Sequence, residues 1–215
     1  MFMPKLTYER PFSEILAVAA SKSPTPGGGS VSAMAGALGA SMGAMVANLT
    51  QNKVGYEEYW LEATEMATLF LEGIEDFKKL TYADMDAFAN FMEALRLPKG
   101  TEEQKAARRL ALDAASAQAA LAPLEIAQKS FDLLLANNRL ASYGNAAAVN
   151  DGAVAAIILE AALRAALLQV DVNLPSLADA ELRQALKTKR DFLEERGRTL
   201  LQETVELVKS RAVGL

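Results

Sequence analysis

The sequence contains neither cysteine nor histidine, and these two absences exclude several kinds of chemistry. Without cysteine there is no disulfide, no thiolate nucleophile and no cysteine-ligated zinc site. Without histidine, the Ser-His and Cys-His mechanisms and histidine-ligated metals are excluded as well. Acid–base chemistry near neutral pH must therefore use an Asp or Glu of raised pKa, or a Lys or Tyr of lowered pKa.

The net charge limits the classes of partner that we expect, and the N-terminal sequence limits the expected cellular compartment. The chain has 22 Lys and Arg against 27 Asp and Glu, a net charge of −5 at pH 7, and no run of five basic residues. Nucleic-acid backbones bind to concentrated basic surfaces, so we expect no nucleic-acid partner. Residues 1–10 lack the apolar core of a secretory signal, and we expect a cytoplasmic protein.

Glycine, proline and aromatic residues are scarce, at 13 Gly, 7 Pro and 7% aromatic. Long runs of the β-branched and aromatic residues that strands prefer are absent. The strong helix formers Ala, Leu, Glu, Lys, Gln and Met dominate instead. We therefore predict an all-α fold, a single domain over residues 1–215 built as a bundle or array of about six helices.

The spacing of apolar residues predicts where the helices lie. Pro24 and Pro98 end the first and the third, because neither proline nor the residue before it suits a helix. Thr101 and Gln104 form a capping-box pattern at the start of the fourth. Pro123 is expected to kink or break that helix, so we divide it there. The predicted helices span about 12–22, 30–53, 56–97, 102–121, 123–137, 145–172 and 179–211.

Two of these helices, 30–53 and 145–172, are apolar on almost every side. No charge occurs from Pro24 to Asn52, a length that could span a bilayer, but Gly, Ala and Ser keep its hydropathy low. We predict a buried core helix whose glycine face lets another backbone approach, and no membrane partner; a membrane-associated helical protein is the alternative. A chain of this size buries two such helices with difficulty, so we also predict a homodimer that shares them.

Asp84 occupies a position where the helix 56–97 otherwise presents apolar side chains. On the helical wheel it lies beside Phe77 and Phe88, whereas Asp86 points to the opposite side. Apolar surroundings destabilise the charged form of a carboxyl and raise its pKa, which suits proton transfer near pH 7. The alternative is a structural carboxylate that pairs with an arginine or caps a neighbouring helix.

A glycine turn precedes the second helix. Gly27, Gly28 and Gly29 lead into Ser30, which is a candidate N-cap together with Ser32. Free N–H groups at a helix N-terminus attract anions, so the three glycines and Ser30 are candidate substrate-binding residues. The turn is not a Walker loop, because no Gly-Lys-Ser/Thr follows it. A simple tight turn between two packed helices is the alternative.

Three polar residues elsewhere are further candidates for a substrate site. Asn145 and Asp151 lie in the otherwise apolar helix 145–172, where Asp151 faces an apolar side. Lys53 follows the second helix and could bind an acidic substrate. Its alternative role is to interact with the negative end of the helix dipole.

Taken in order, these motifs resemble the formiminotetrahydrofolate cyclodeaminase and methenyltetrahydrofolate cyclohydrolase family. The resemblance runs over about residues 12–175, and its specific parts are the proline–glycine string and the Asp-x-x-Ala-Phe element. The matching segments are Pro24–Ser30, Ala35–Ala40, Met45–Thr50, Lys53, Tyr56, Asp84–Phe88, Leu97–Lys99, Gly144–Asn145, Asp151 and Val172–Leu174.

The resemblance implies an all-helical homodimer of the stand-alone bacterial form, with a tetrahydrofolate derivative as substrate and Asp84 as the catalytic aspartate. The expected reaction converts 5-formiminotetrahydrofolate to 5,10-methenyltetrahydrofolate and releases ammonia, without a metal or a further cofactor. Lys53, Arg139 and the glycine turn are candidates for holding the anionic glutamate tail. Hydrolysis of the methenyl compound to 10-formyltetrahydrofolate is the alternative reaction, and a non-catalytic helical interaction protein is the alternative class.

Overall fold

The computed structural model describes residues 8–212, which form six α-helices and no β-strand. The predicted all-α class is therefore confirmed, while the expectation about the N-terminal residues falls largely on positions 1–7, outside the described range. Three 3₁₀ turns lie between the helices, at Glu57–Tyr59, Ala146–Ala148 and Leu174–Ser176. The helices are α1 (Phe12–Ala19), α2 (Gly28–Thr50), α3 (Trp60–Arg96), α4 (Glu102–Tyr143), α5 (Val149–Asn173) and α6 (Ala180–Ala212).

Helix α2 lies at the centre, where it packs against α3, α4 and α5, while α6 packs against α4 and α5. The main core joins buried side chains from all five of these helices. Two of its fully buried members, Phe70 and Phe77, come from α3. Burying a side chain of this size stabilises a fold by roughly 1.5–3 kcal/mol, so the α2–α3 contact is a main source of stability.

The glycine face of α2 admits side chains of α3. A Cβ atom at Gly36 would lie 2.4 Å from Cζ of Phe77, and one at Gly43 would lie 2.6 Å from Cε1 of Phe70. Both distances are shorter than van der Waals contact, so the two rings occupy the space of the missing side chains. The sequence predicted the close packing, but at these two positions the approaching group is an aromatic ring instead of a backbone.

Helix α4 runs without a break through Pro123, so the prediction that this proline divides the helix is wrong. A proline lacks the N–H that would donate to the carbonyl four residues earlier, here that of Ala119. The side-chain amide of Asn173 donates to this carbonyl instead, at 2.8 Å. The predicted end at residue 137 is also wrong, because the helix continues to Tyr143.

The structure contradicts the N-cap predicted for α2 and confirms the one predicted for α4. Gly27, with an extended backbone, precedes the first residue of α2, so neither Ser30 nor Ser32 is its N-cap. At α4 the capping box is confirmed, because Thr101 and Gln104 each accept a hydrogen bond from the other's backbone N–H.

Both apolar helices keep one exposed face. By length and composition Gly28–Thr50 and Ala146–Ser176 could each cross a bilayer, but 61% and 50% of their most apolar windows are buried by the rest of the chain. Core helices of soluble proteins meet the same criterion. The exposed apolar residues of these two helices, here called the apolar stripe, are Val31, Leu38, Met45 and Leu49 of α2 and Val154, Ile157, Leu168 and Val172 of α5.

Candidate active site

Asp84 projects from α3 onto the first turn of α2. The hydroxyl of Ser30 donates to Oδ2 of Asp84 at 2.6 Å, and the backbone N–H of Ser30 donates to the same carboxyl. Gly29 makes this approach possible, because a Cβ atom there would lie 2.1 Å from Oδ1 of Asp84. The glycine turn and Asp84, which the sequence separates by 54 residues, therefore form one structural unit.

Two opposing effects act on the pKa of Asp84. Burial raises it above the ordinary value of an aspartate, and the hydrogen bonds from Ser30 lower it by less. The net direction is upward, as expected for a carboxyl among apolar side chains. Asp84 also caps a neighbouring helix, which was the structural alternative, but within residues 8–212 the ion pairs with arginine involve other acids.

Asp84 faces a cavity of about 300 Å³, here called the Asp84 pocket. Its walls come from the Pro24 turn and the start of α2, from α3, from α4 at Ala119, and from the end of α5. Phe88 and Phe91 supply aromatic surface, while Gln169 and Asn173 supply side-chain amides. Apolar walls with a few convergent polar groups are typical of small-molecule sites.

Neither amide of α5 was predicted from the sequence as a site residue, although Asn173 lies in the matching segment Val172–Leu174. The side chain of Gln169 lies against Gly28, where a Cβ atom would come 2.7 Å from Nε2. Asn173 donates to the carbonyls of Ala119 and Gln169, both at 2.8 Å, and so joins α4 to α5 beside the pocket. Both are polar residues at one end of an apolar helix, the same signal that singled out Asn145 and Asp151.

A comparison with known sequences identifies the family. The sequence model of the formiminotransferase-cyclodeaminase family matches residues 11–191. The chain belongs to this family. The family member described here is 35% identical to a methenyltetrahydrofolate cyclohydrolase of Methylorubrum extorquens over 197 residues, 89% of this chain and 92% of that protein.

Longer relatives and a solved structure agree with this assignment. The formimidoyltransferase-cyclodeaminases of Mus musculus and Gallus gallus are 34% and 31% identical, over 74% and 81% of this chain. The chain spans only 29% and 32% of those proteins. The crystal structure of a formiminotetrahydrofolate cyclodeaminase from Thermotoga maritima has a TM-score of 0.85 and 26% identity, covering 94% of this chain and 97% of that one.

The other candidate residues of this family member lie at the opposite end of α2. Ser30 and Thr50 are twenty residues apart on the helix, about 30 Å along its axis. The backbone N–H of Asn145 donates to the Thr50 hydroxyl, and the Asn145 side chain donates to the carbonyl of Leu49, both at 2.9 Å. Asn145 thus holds the start of α5 against the end of α2.

Lys53, Asp151 and Arg139 share this remote end. Lys53 is exposed in the turn after α2, and Arg139 forms an ion pair with Glu62. Asp151 lies in the first turn of α5, about 27 Å along the axis from Gln169. A site made by one chain alone therefore contains Asp84, Gly27, Gly28, Gly29 and Ser30 but does not contain Lys53, Asn145 or Asp151.

Proposed function

We propose that this chain converts 5-formiminotetrahydrofolate to 5,10-methenyltetrahydrofolate with release of ammonia, and that Asp84 is its acid–base group. The observation that carries the proposal is a carboxyl of raised pKa that is held at the first turn of α2 and faces a cavity. A carboxyl that keeps its proton to higher pH can protonate a departing nitrogen. Family membership supplies the class of substrate.

The reaction takes one proton from N10 and gives two protons to the leaving nitrogen. N10 of the folate attacks the formimino carbon on N5 and forms the new C–N10 bond. The imine nitrogen then leaves as ammonia, after it has gained the N10 proton and one proton from solution, and the methenyl cation remains. Asp84 as carboxylate accepts the N10 proton, and as acid it protonates the leaving nitrogen. Such transfers typically contribute about 10²–10⁴-fold to the rate.

A methenyltetrahydrofolate cyclohydrolase is the second candidate, favoured by the relative of matching length that carries this name. In that reaction water adds to the methenyl carbon, the bond to N5 breaks, and 10-formyltetrahydrofolate forms with release of one proton. Asp84 would take the proton from the attacking water and protonate N5. Both reactions need the same carboxyl in the same place.

A side-by-side assay tests both candidates. Purified protein is given 5-formiminotetrahydrofolate and, separately, 5,10-methenyltetrahydrofolate, while ammonia release and the loss of methenyl absorbance are measured. We expect ammonia release, and we expect Asp84→Asn to lower kcat at least about a hundredfold while circular dichroism stays unchanged. Glu72→Gln, which removes a carboxyl charge at an exposed position of α3 outside the pocket, is the matched control and should keep its activity.

Each other outcome of the assay has a definite meaning. Methenyl hydrolysis without ammonia release would replace the first candidate with the second. Near-full turnover of both substrates by Asp84→Asn would refute the role of this carboxyl.

We also propose that the active form is a homodimer built on the apolar stripe. A two-fold axis that crosses α2 near its midpoint, at Leu38, would set the two copies of α2 antiparallel. The end of one α2 would then lie beside the Asp84 pocket of the other subunit, and with it the partner's Lys53, the partner's Asn145 and the partner's Asp151. This arrangement accounts for family motifs that lie about 30 Å apart in one chain.

A further inference from the structure

The Asp84 pocket continues into a second, larger cavity. This cavity of about 580 Å³ lies between α1, the Pro24 turn and α3, and we call it the α1–α3 groove. The two cavities share Pro24, Thr25 and Phe88 as lining residues. A ligand that enters the Asp84 pocket can therefore extend into the groove without leaving the surface of α3.

The volumes favour a ligand that uses both cavities. The Asp84 pocket is at the lower limit of the range of about 300–1,000 Å³ that small-molecule sites occupy. A bicyclic pterin ring alone suits such a pocket, but a whole folate, with its benzoyl ring and glutamate tail, needs more room. The groove is the adjoining space that shares lining residues with the pocket.

The walls of the groove suit a flat aromatic group. Met85, Ala89 and Met92 recur at spacings of three and four residues, which puts them on one side of α3. Val18 of α1 faces the same space, and Phe88 stands at the junction with the Asp84 pocket. Methionine packs favourably against aromatic rings because its thioether is flexible and polarizable.

The charges along the groove determine where the anionic end of a ligand can lie. Asp86 and Glu93 are two helical turns apart on α3, and both repel a carboxylate. Arg96 lies one turn beyond Glu93, in the last turn of α3, and it is exposed. Arg10 borders the groove as well, but Tyr8, two residues before it, bonds to Thr81 and Tyr82, so Arg10 lies toward the Asp84 end of α3. A carboxylate is therefore accepted beside Arg96, at the end of the groove that is remote from Asp84.

The distance along α3 fits this arrangement. Asp84 and Arg96 are twelve residues apart, which is about 18 Å along the axis. A pterin at Asp84 followed by a benzoyl ring in the groove brings the glutamate of a folate toward Arg96. Within one chain, Lys53 and Arg139, which the sequence offered for this role, lie near the opposite end of α2 from Asp84.

We propose that the α1–α3 groove binds the benzoyl ring of the substrate and that Arg96 binds the carboxylates of its glutamate tail. The inference rests on the proposed function, because it takes the ligand to be a folate. A second basic cleft, which includes Lys105 and Arg109, shares no lining residue with the Asp84 pocket and serves as a control.

The test compares substrates with and without the tail. Arg96→Gln and Arg109→Gln each remove one positive charge from an exposed arginine, and kcat and KM are measured for the substrate that the wild type turns over. The substrate is supplied as the triglutamyl, monoglutamyl and tetrahydropteroyl forms, the last of which has no glutamate. We expect Arg96→Gln to raise KM for the triglutamyl form at least about tenfold, with kcat nearly unchanged. We expect no effect on the tetrahydropteroyl form, and no effect of Arg109→Gln on any form.

The outcomes separate this inference from the proposed function. If Asp84→Asn is inactive but Arg96→Gln keeps the wild-type KM for every form, the groove inference is overturned and the function stands. A rise in KM for Arg109→Gln alone overturns it too, because the tail would then bind in the other cleft.

If the wild type turns over neither 5-formiminotetrahydrofolate nor 5,10-methenyltetrahydrofolate, the proposed function fails. Calorimetry with tetrahydropteroyltriglutamate then tests the groove, since equal affinity of the wild type and Arg96→Gln overturns it and a weaker affinity supports it.

Discussion

Asp84 is placed where catalysis and stability make opposite demands on one side chain. Burial raises its pKa in the folded state, so ionising it costs folding free energy. Below the unfolded pKa of about 3.9, both states are protonated and this cost is absent. As the pH rises through the folded pKa, the wild type loses stability relative to a variant that cannot ionise.

We therefore expect Asp84→Asn to be more stable than the wild type at pH 7, although it is less active. The asparagine Oδ1 can still accept the hydrogen bond from Ser30 but carries no charge. Urea unfolding at about pH 3, 5 and 7 measures the difference, which should grow with pH from near zero. Asp86→Asn, at an exposed position of the same helix, is measured alongside as the control for the loss of one carboxyl. A variant less stable than the wild type at pH 7 would contradict the argument.

Gly29 is the second residue on which the site depends. A Cβ atom there would overlap Oδ1 of Asp84 at 2.1 Å, so the carboxyl has to leave the first turn of α2 in Gly29→Ala. We expect kcat to fall about a hundredfold, the effect that a displacement of about 1 Å can have. Gly100→Ala is the control, because this residue lies outside the Asp84 pocket and its Cβ would meet only the flexible side chain of Gln104, at 3.2 Å. Full activity of Gly29→Ala would show that this contact is dispensable.

At this scale the sequence predicts the parts but not their contact. Asp84 stands out because it interrupts an apolar face, and the glycines stand out because they form a run. Nothing local connects them, since the hydrogen bond between Ser30 and Asp84 spans 54 residues. Gln169 is one of several polar residues in an apolar helix, and only its contact with the α2 backbone at Gly28 distinguishes it from the others.

At the scale of the elements, α4 depends on a hydrogen bond from another helix. Asn173 replaces the donor that Pro123 removes from the carbonyl of Ala119. We expect Asn173→Leu to cost about 1–3 kcal/mol in free energy of unfolding, because that carbonyl loses its partner. In the Pro123→Ala background the backbone N–H of residue 123 is restored, so the same substitution should cost less.

The double-mutant cycle of these two substitutions isolates their coupling. Denaturant unfolding of the two single variants and the double variant gives the three free energies that the cycle needs. Equal costs of Asn173→Leu in both backgrounds would mean that the amide does not compensate for the proline. The sequence suggests a break at Pro123 that the structure lacks, because the compensating amide lies 54 residues from the carbonyl of Ala119. The capping box at Thr101 and Gln104 is local, and it was predicted correctly.

At the scale of the whole molecule, the apolar stripe leads to a prediction about assembly. We expect Leu38→Glu to raise the dimer dissociation constant at least about a hundredfold, because two carboxylates would meet near the two-fold axis. Activity should fall at concentrations where the variant is monomeric. Sedimentation velocity over a dilution series measures the change, and Leu110→Glu, at a leucine of α4 that is 72% exposed, is the matched control. A wild type that is monomeric at micromolar concentration would refute the dimer.

Helix α2 carries the hydrogen bonds to Asp84 at its first turn and the residues of the apolar stripe along its exposed face. A ligand at one end of α2 and a second subunit along its side would therefore both bind to the same helix. Thermodynamic reciprocity then requires that any factor by which the ligand tightens association is also the factor by which association tightens ligand binding. If association tightens ligand binding, dilution of the protein would separate the subunits and lower the affinity for the ligand, without any molecule that competes for the pocket.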